Sequence, residues 1–327
     1  MRYFLTGATG FVGGALANQL VAAGHEVVAL VREPSRAASL AALGATLHKG
    51  DITDKETMRR PMADVDGVFH LAAWYKIGEG TLSEARAINV QGTRNVLELM
   101  QELKIQKGVY TSTLAVFSDT KGKPVDESYR HNGPWLSIYD RTKWEAHYEV
   151  ALPMMEQGLP LVIVQPGLVY GPGNTSSVRQ TLVQYLQRKL FLVPKDTAFN
   201  WAHVEDTARG HLLAMERGKP GETYILAGPP HTLEEAFELA QQLTGVPAPR
   251  FRASPALMKL LASALRIVGA VISLSPSYSA EALRVSAGST YLGGRHEGST
   301  RARLSTAVAR GRTATDAAPR NGPPWAA

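Results

Sequence analysis

Tyr139 and Lys143 stand four residues apart, a spacing that puts both side chains on one face of a helix. A free phenol titrates at about 10 and is a poor base at neutral pH. A neighbouring ammonium favours the phenolate and brings it toward the range where protons are exchanged. Such pairs are common on solvated helix faces, so this one needs company to mean chemistry. Upstream, Tyr110-Thr111-Ser112-Thr113 offers three hydroxyls, any of which can fix a reacting oxygen through a hydrogen bond.

A second constellation opens the chain. A short apolar run, 3–6, leads into Gly7-Ala-Thr9-Gly10-Phe11-Val12-Gly13 and then into a helical period. Each glycine has a mechanical reason: Gly7 for the tight turn, Gly10 for close approach of backbone to a pyrophosphate, and Gly13 for packing of helix on strand. A helix starting here points its amides at the phosphates. Three glycines alone are weak evidence; between a strand and a helix at the start of a βαβ unit they predict dinucleotide binding.

The elements that must position these groups alternate strand and helix. Strands are predicted at 3–6, 27–31, 46–49, 67–71, 108–111 and 161–165, with helices at 12–23, 88–103 and 139–157. The strands show no in-and-out polarity, as expected when both sheet faces are covered. The predicted fold class is α/β: a doubly wound parallel sheet over 1–168, followed by a smaller substrate lobe over 169–294. Some strands of that lobe return to the sheet, one of them near 223–226. Residues 233–244 read as an amphipathic helix ended by Gly245. The apolar stretch 257–274 is broken by Lys259 and Arg266 on one face, which suits a pocket-covering helix better than a membrane span.

Composition narrows the function. Of 327 residues none is cysteine, which excludes disulfides, thiolate ligands and a cysteine nucleophile, and a reducing cytoplasm is the expected location. No clustered His/Asp set suggests a metal. The formal charge is +6, but the six arginines beyond residue 285 account for most of it, so no basic face points to nucleic acid.

These motifs resemble the extended short-chain dehydrogenases/reductases, the NAD-dependent epimerase/dehydratase family, over roughly residues 1 to 290. Gly50-Asp51-Ile52 resembles the passage that holds adenine, and His70-Leu71-Ala72-Ala73 the one that runs along the cofactor. The helix motif Asn89-Val-Gln-Gly92-Thr93-Arg-Asn95 follows. Pro166-Gly167-Leu-Val169-Tyr170-Gly171-Pro172-Gly173 and His203-Val-Glu-Asp206 are similar to later landmarks. The resemblance implies catalysis by Thr113, Tyr139 and Lys143, with Ser112 as the alternative hydroxyl. It implies cofactor contacts from Thr111, Pro166, Gly167 and Val169 as well, and a structural Asn89. His203 is expected to be structural, ahead of a helix capped by Glu205 or Asp206. Helices 88–103 and 139–157 resemble the pair through which relatives dimerise, so a homodimer is expected.

At the end of the second strand stand Val31 and Arg32, with Ser35 and Arg36 nearby, where an acid would select NAD. An arginine fork suits a 2′-phosphate, so NADP is favoured over NAD; Glu33 turned inward is the alternative. Trp74, Tyr75, Phe117, Trp135, Tyr170 and Trp201 are the substrate candidates, and their rings favour an apolar or ring-bearing substrate. Gln165 stands where nucleotide-sugar epimerases often carry arginine. The favoured function is therefore a carbonyl reductase similar to dihydroflavonol 4-reductases, with a nucleotide-sugar epimerase and a non-catalytic NADP(H) sensor as alternatives. From residue 295 the apolar periodicity fails and a disordered tail is predicted. Read through GC-rich codons shifted by one base, 299–311 resembles the family's Leu-Gly-aromatic-Arg-Pro ending, which suggests a frameshift near 293–296.

Overall fold

Alternate residues of the first strand enter two different cores, which is why no polarity alternates along it. Tyr3 and Leu5 pack with Leu16, Leu20 and Leu212, whereas Phe4 packs with Met58, Val96 and Met100. The computed structural model describes residues 1–190, 192–258, 260, 263 and 280–288. Six strands arrive in chain order: β1 (Arg2–Thr6), β2 (Glu26–Val31), β3 (Thr46–Lys49), β4 (Gly67–His70), β5 (Gly108–Thr111) and β6 (Leu161–Pro166). Four more, β7 (Leu168–Tyr170), β8 (Leu192–Pro194), β9 (Ala198–His203) and β10 (Thr223–Leu226), precede β11 (Pro230–Thr232) and β12 (Phe251–Ala253).

The main sheet runs β10-β6-β5-β4-β1-β2-β3, and every pairing in it is parallel. Strand order reverses direction between β1 and β4. In sheets of this kind a crevice at the carboxyl ends of the strands is expected at such a reversal. Small sheets β11-β9-β7 and β12-β8 belong to the second lobe. The chain leaves the main sheet after Pro166, and β10 returns to pair with β6.

The helices are α1 (Phe11–Ala22), α2 (Ala38–Ala42), α3 (Glu56–Met62), α4 (Leu82–Arg86) and α5 (Thr93–Glu102). They continue with α6 (Ile138–Glu145), α7 (Leu152–Glu156), α8 (Ser177–Leu186), α9 (Val204–Arg217) and α10 (Leu233–Thr244). A last described helix spans Ala280–Ala287. Helix α9 lies beside α1, tied by the Gln19 amide, which donates to the Glu205 carboxylate at 2.9 Å. Gly245 ends α10 in the left-handed conformation as predicted, at φ 70°.

Both long helices of the opposite face differ from their predicted form. The run predicted at 88–103 begins at Leu82, because Thr81 and Glu84 form a reciprocal capping box. It then widens into π-helical turns over Ala87–Gly92 before α5. Ser137 caps α6 by accepting from the Asp140 amide at 3.0 Å, and a second π-helical stretch, Ala146–Ala151, joins α6 to α7. The predicted tail from 295, its suggested frameshift and most of 257–274 lie outside the described residues.

The glycine loop offers a direct test of close packing. A Cβ on Gly13 would lie 2.1 Å from the Gly7 carbonyl oxygen, whereas one on Gly14 would meet nothing nearer than the Ala8 oxygen at 3.6 Å. Gly13→Ala is therefore expected to destabilise the fold by about 1–3 kcal/mol. Gly14→Ala should be neutral or stabilising by up to about 1 kcal/mol. Urea unfolding of the two variants is the measurement, and equal midpoints would refute the packing argument.

Candidate active site

The cradle for a dinucleotide is built from backbone. Gly7 turns the chain with φ +76°, and a Cβ there would lie 2.7 Å from the Ala72 nitrogen. The loop thus runs directly against Leu71 and Ala72. Thr6 fastens the two passages, its hydroxyl oxygen accepting from the Leu71 and Ala72 amides at 3.1 Å each. No side chain caps the start of α1 at Gly10, so the amides of Phe11 and Val12 are placed to serve an anion. Beside Thr9 and Gly10 lies a cleft of about 190 Å³ that extends to Arg36 and Ser39. Donors without side chains, and no room for side chains, fit a pyrophosphate.

Arg36 lines the cleft wall, and Arg32 is exposed at the end of β2. Glu33, the residue that would serve NAD, is drawn to Arg36 at 3.6 Å. Val31 is buried. Asp51 accepts from the amide and hydroxyl of Thr53 at 2.9 and 2.8 Å, so its Oδ1 shapes the turn after β3. Ile52 is buried, and its carbonyl accepts from Asn95 at 2.8 Å. Pro166 ends β6 and Val169 lies in β7. Between them a Cβ on Gly167 would lie 2.1 Å from the Asn200 oxygen.

Strand geometry sorts the three hydroxyls. Thr111 faces α9 and pairs with His211 Nε2 at 2.9 Å. Ser112 faces the opposite side and meets His147 Nδ1 at 2.8 Å. Thr113, just past the strand, caps the following turn by accepting from the Ala115 amide at 3.1 Å. It is also hydrogen-bonded to Tyr139. The structure thus joins Thr113, and not Ser112, to the phenol.

Lys143 is 2% exposed. Its Nζ donates to the Tyr110 hydroxyl at 3.1 Å and to the Thr111 carbonyl at 2.8 Å. It also lies 4.7 Å from the centre of the Tyr110 ring. Burial pushes this lysine down to about 7. The expected lowering of Tyr139 is not what the structure gives. Burial drives the phenol well above its ordinary value, with the adjacent Tyr75 adding to the rise and the Thr113 bond opposing it. The hydrogen bonds of Lys143 are directed into the sheet, which is why desolvation prevails at the tyrosine.

Asn89 is structural, as the resemblance implies. Its Oδ1 accepts from the Trp74 amide at 2.7 Å, and its Nδ2 donates to the Trp74 carbonyl and the Thr142 hydroxyl at 3.1 and 2.9 Å. It therefore ties the loop after β4 to the helix bearing Tyr139. His203 is itself the cap of α9, accepting from the Glu205 amide at 3.3 Å, so the expected cap by Glu205 or Asp206 is corrected. Those two acids occupy the first turn.

The aromatic candidates divide. Tyr75 is 44% exposed and meets Tyr139 edge-on with ring centres 4.8 Å apart. Tyr170, in β7, packs edge-on against Trp201 at 6.0 Å and His203 at 5.4 Å. Trp74 is buried against Gly80. Trp135 packs on His131 and Trp144. Phe117 is fully buried with Leu114, Val116 and Tyr148, so it is core in this structure and not a wall of the crevice.

One contributor had no local signal in the sequence. Glu281, on the last described helix, accepts from the Gly78 amide at 2.7 Å and from the Ile138 amide at the start of α6. One carboxylate thus bridges the loop carrying Tyr75 and the helix carrying Tyr139, across more than 140 residues of chain.

Among the described residues no group of three His, Asp or Glu is placed to hold a metal, and no helix is long and apolar enough to cross a membrane.

Comparison with known proteins agrees with this geometry. Residues 3–227 match the model of the NAD dependent epimerase/dehydratase family. The chain is 33% identical over 297 residues to a Synechocystis sp. protein named "Putative dihydroflavonol 4-reductase", covering 88% of this chain and 86% of the relative. It is 35% identical to the 4-hydroxy-2-methyl-3-oxo-4-farnesyl-3,4-dihydroquinoline-1-oxide ketoreductase of Stigmatella aurantiaca, covering 76% and 75%. The crystal structure of gox2253 superimposes with a TM-score of 0.76 at 31% identity, over 90% of this chain and 89% of that one. The chain belongs to the NAD-dependent epimerase/dehydratase family, whose named relatives here make it an NAD(P)-dependent oxidoreductase or epimerase.

Proposed function

We propose that this protein is an NADPH-dependent reductase of a ketone or aldehyde with an apolar or ring-bearing body, working in the cytoplasm. The observation that carries the reading is the Thr113–Tyr139 hydrogen bond at the carboxyl edge of the sheet, beside a cradle that fits a dinucleotide. When bound, the cofactor supplies hydride. The Phe11 and Val12 amides would hold its pyrophosphate, and Lys143 would hold its ribose. Thr113 donates to the substrate carbonyl and fixes the oxygen. Tyr139, kept protonated by burial, gives its proton to that oxygen as it becomes an alcohol. The exposed rings of Tyr75 and Tyr170 provide an apolar mouth. Both relatives described above are named as reductases.

An epimerase is the second reading, favoured by a UDP-glucose 4-epimerase of Streptomyces lividans at 28% identity. Stoichiometry separates the two. A reductase consumes one NADPH per alcohol formed, whereas interconversion of sugar nucleotides without net cofactor change would establish the epimerase. Tyr139→Phe should lower kcat by at least about a hundredfold while leaving NADPH affinity within about twofold, because the phenolic proton is not needed for binding. Turnover at the wild-type rate would remove Tyr139 from the mechanism.

Cofactor choice follows from the wall of the cleft. With Glu33 paired to Arg36 and Val31 buried, the end of β2 presents arginines and not an acid. NADPH is expected to bind more tightly than NADH, and Arg36→Ala should cost about tenfold to a hundredfold in NADPH affinity, the worth of one charge-assisted bond. NADH affinity should be nearly unchanged. Calorimetry that finds NADH preferred by the wild type would reverse this assignment.

The outer faces of α4–α5 and α6–α7 border a groove of about 320 Å³ between Arg86 and Glu149, and through these helices the chain is expected to form a homodimer. Light scattering at micromolar concentration should give twice the chain mass; a monomer mass would end that expectation.

A further inference from the structure

We propose that Tyr110 and His70 are positioning residues which keep Lys143 an ammonium, through a buried chain of hydrogen bonds in which each proton has one place. The chain begins at the glycine loop. Thr6 accepts from two amides, Leu71 and Ala72, so both lone pairs of its oxygen are used. Its own hydrogen must therefore go to His70 Nδ1, 2.8 Å away.

His70 is fully buried and pushed down to about 3, hence neutral, and its single ring proton sits on Nε2. That proton is donated to the Thr93 hydroxyl at 3.0 Å. Thr93 in turn donates to the Asn89 carbonyl at 2.6 Å. With the Thr93 hydrogen given to Asn89, the phenol is the only partner able to donate in any contact between Thr93 and Tyr110. Its oxygen is free to accept from Lys143 Nζ.

The second acceptor of Lys143 is braced in a similar way by a histidine of the opposite tautomer. His211 Nδ1 contacts the Thr207 carbonyl at 2.8 Å and so carries the proton. Its Nε2 accepts from the hydroxyl of Thr111, the residue whose carbonyl receives Lys143. Two of the three ammonium hydrogens are thereby committed, and one remains for a ligand.

Tyr110 comes from β5 and His70 from β4, while Tyr139 and His147 share the lysine's own helical run. With Asp140, buried one turn before the lysine on its own helix, these are the titratable groups around Lys143. Both His70 and His147 are held near 3 and both tyrosines are raised, so none of these four titrates alongside the lysine. Burial favours the neutral amine; the Tyr110 oxygen and the Thr111 carbonyl favour the ammonium. Removing one acceptor must lower the titration midpoint.

The test reads Lys143 directly. In protein carrying ¹³C at lysine Cε, the Lys143 resonance is identified by its loss in Lys143→Arg, and its chemical shift is followed against pH. The wild type should titrate near 7. Tyr110→Phe keeps the ring and deletes the acceptor, and its midpoint should fall by roughly one to two pH units, the equivalent of one hydrogen bond to a charged group. A folded Tyr110→Phe protein with the wild-type midpoint overturns the proposal.

If Tyr110→Phe does not fold, Thr93 decides. Thr93→Val should lower the midpoint by a smaller amount and Thr93→Ser should restore it; two wild-type midpoints would again overturn it. This readout needs no substrate, so the network can fail while the reductase assignment stands, and the reverse.

Discussion

A charged nitrogen held out of water must be compensated by acceptors that cannot turn away. Lys143 is the place where this fold meets that constraint. One of its acceptors is a strand carbonyl, fixed because β5 lies between two parallel neighbours. The other is the Tyr110 phenol oxygen, held in place by a ring that stacks on His70 with centres 5.6 Å apart. Both depend on the same sheet being covered on both faces, since α9 supplies His211 from one side and the α5 run supplies Thr93 from the other. The doubly wound architecture thus brings the necessary partners to a single nitrogen.

The same sheet sets the crevice. Strand order reverses between β1 and β4, the place where sheets of this kind open a crevice at their carboxyl ends, and there the glycine loop runs against Leu71 and Ala72. Thr6 stands at that junction. Its hydroxyl holds the Leu71 and Ala72 amides and sends its hydrogen to His70, so the phosphate cradle and the lysine are joined by one buried path. Glu281 closes the opposite side, with one carboxylate reaching both the Tyr75 loop and the start of α6. Tyr139 and Lys143, four residues apart, are thus held by chain that is distant in sequence.

What the sequence disclosed was periodic or local. The six leading strands were predicted to within a residue or so because parallel strands buried on both faces are unbroken apolar runs. The glycine loop, the cap at Gly245 and the Tyr139–Lys143 spacing were legible because each is a short-range geometric requirement. The π-helical turns left no mark, since widening a helix by one residue per turn follows from packing against its neighbour. Thr81-Leu-Ser-Glu84 is a capping-box pattern legible in four residues. Phe117 looked like a pocket residue because an aromatic near a strand end has the same signature whether it faces a ligand or the core. Glu281 and His211 reach their partners across about 100 residues or more, a relation that no window of sequence contains.

Burial acts on Tyr139 and Lys143 in opposite chemical senses, and their joint behaviour follows from that. For the phenol, losing water favours the protonated form; for the lysine, it favours the deprotonated form. Both groups are driven toward neutrality, so the site as built is a phenol ready to donate beside an amine whose charge depends on its acceptors. A protonated phenol suits the direction in which a carbonyl oxygen gains a proton. It is less suited to alcohol oxidation, which must begin with a phenolate. At Tyr139 the Thr113 contact is outweighed by burial and by Tyr75. Control over the lysine's charge lies one residue deeper, at the Tyr110 oxygen and the Thr111 carbonyl, whose two hydrogen bonds hold the proton on Lys143 against the pull of its own burial.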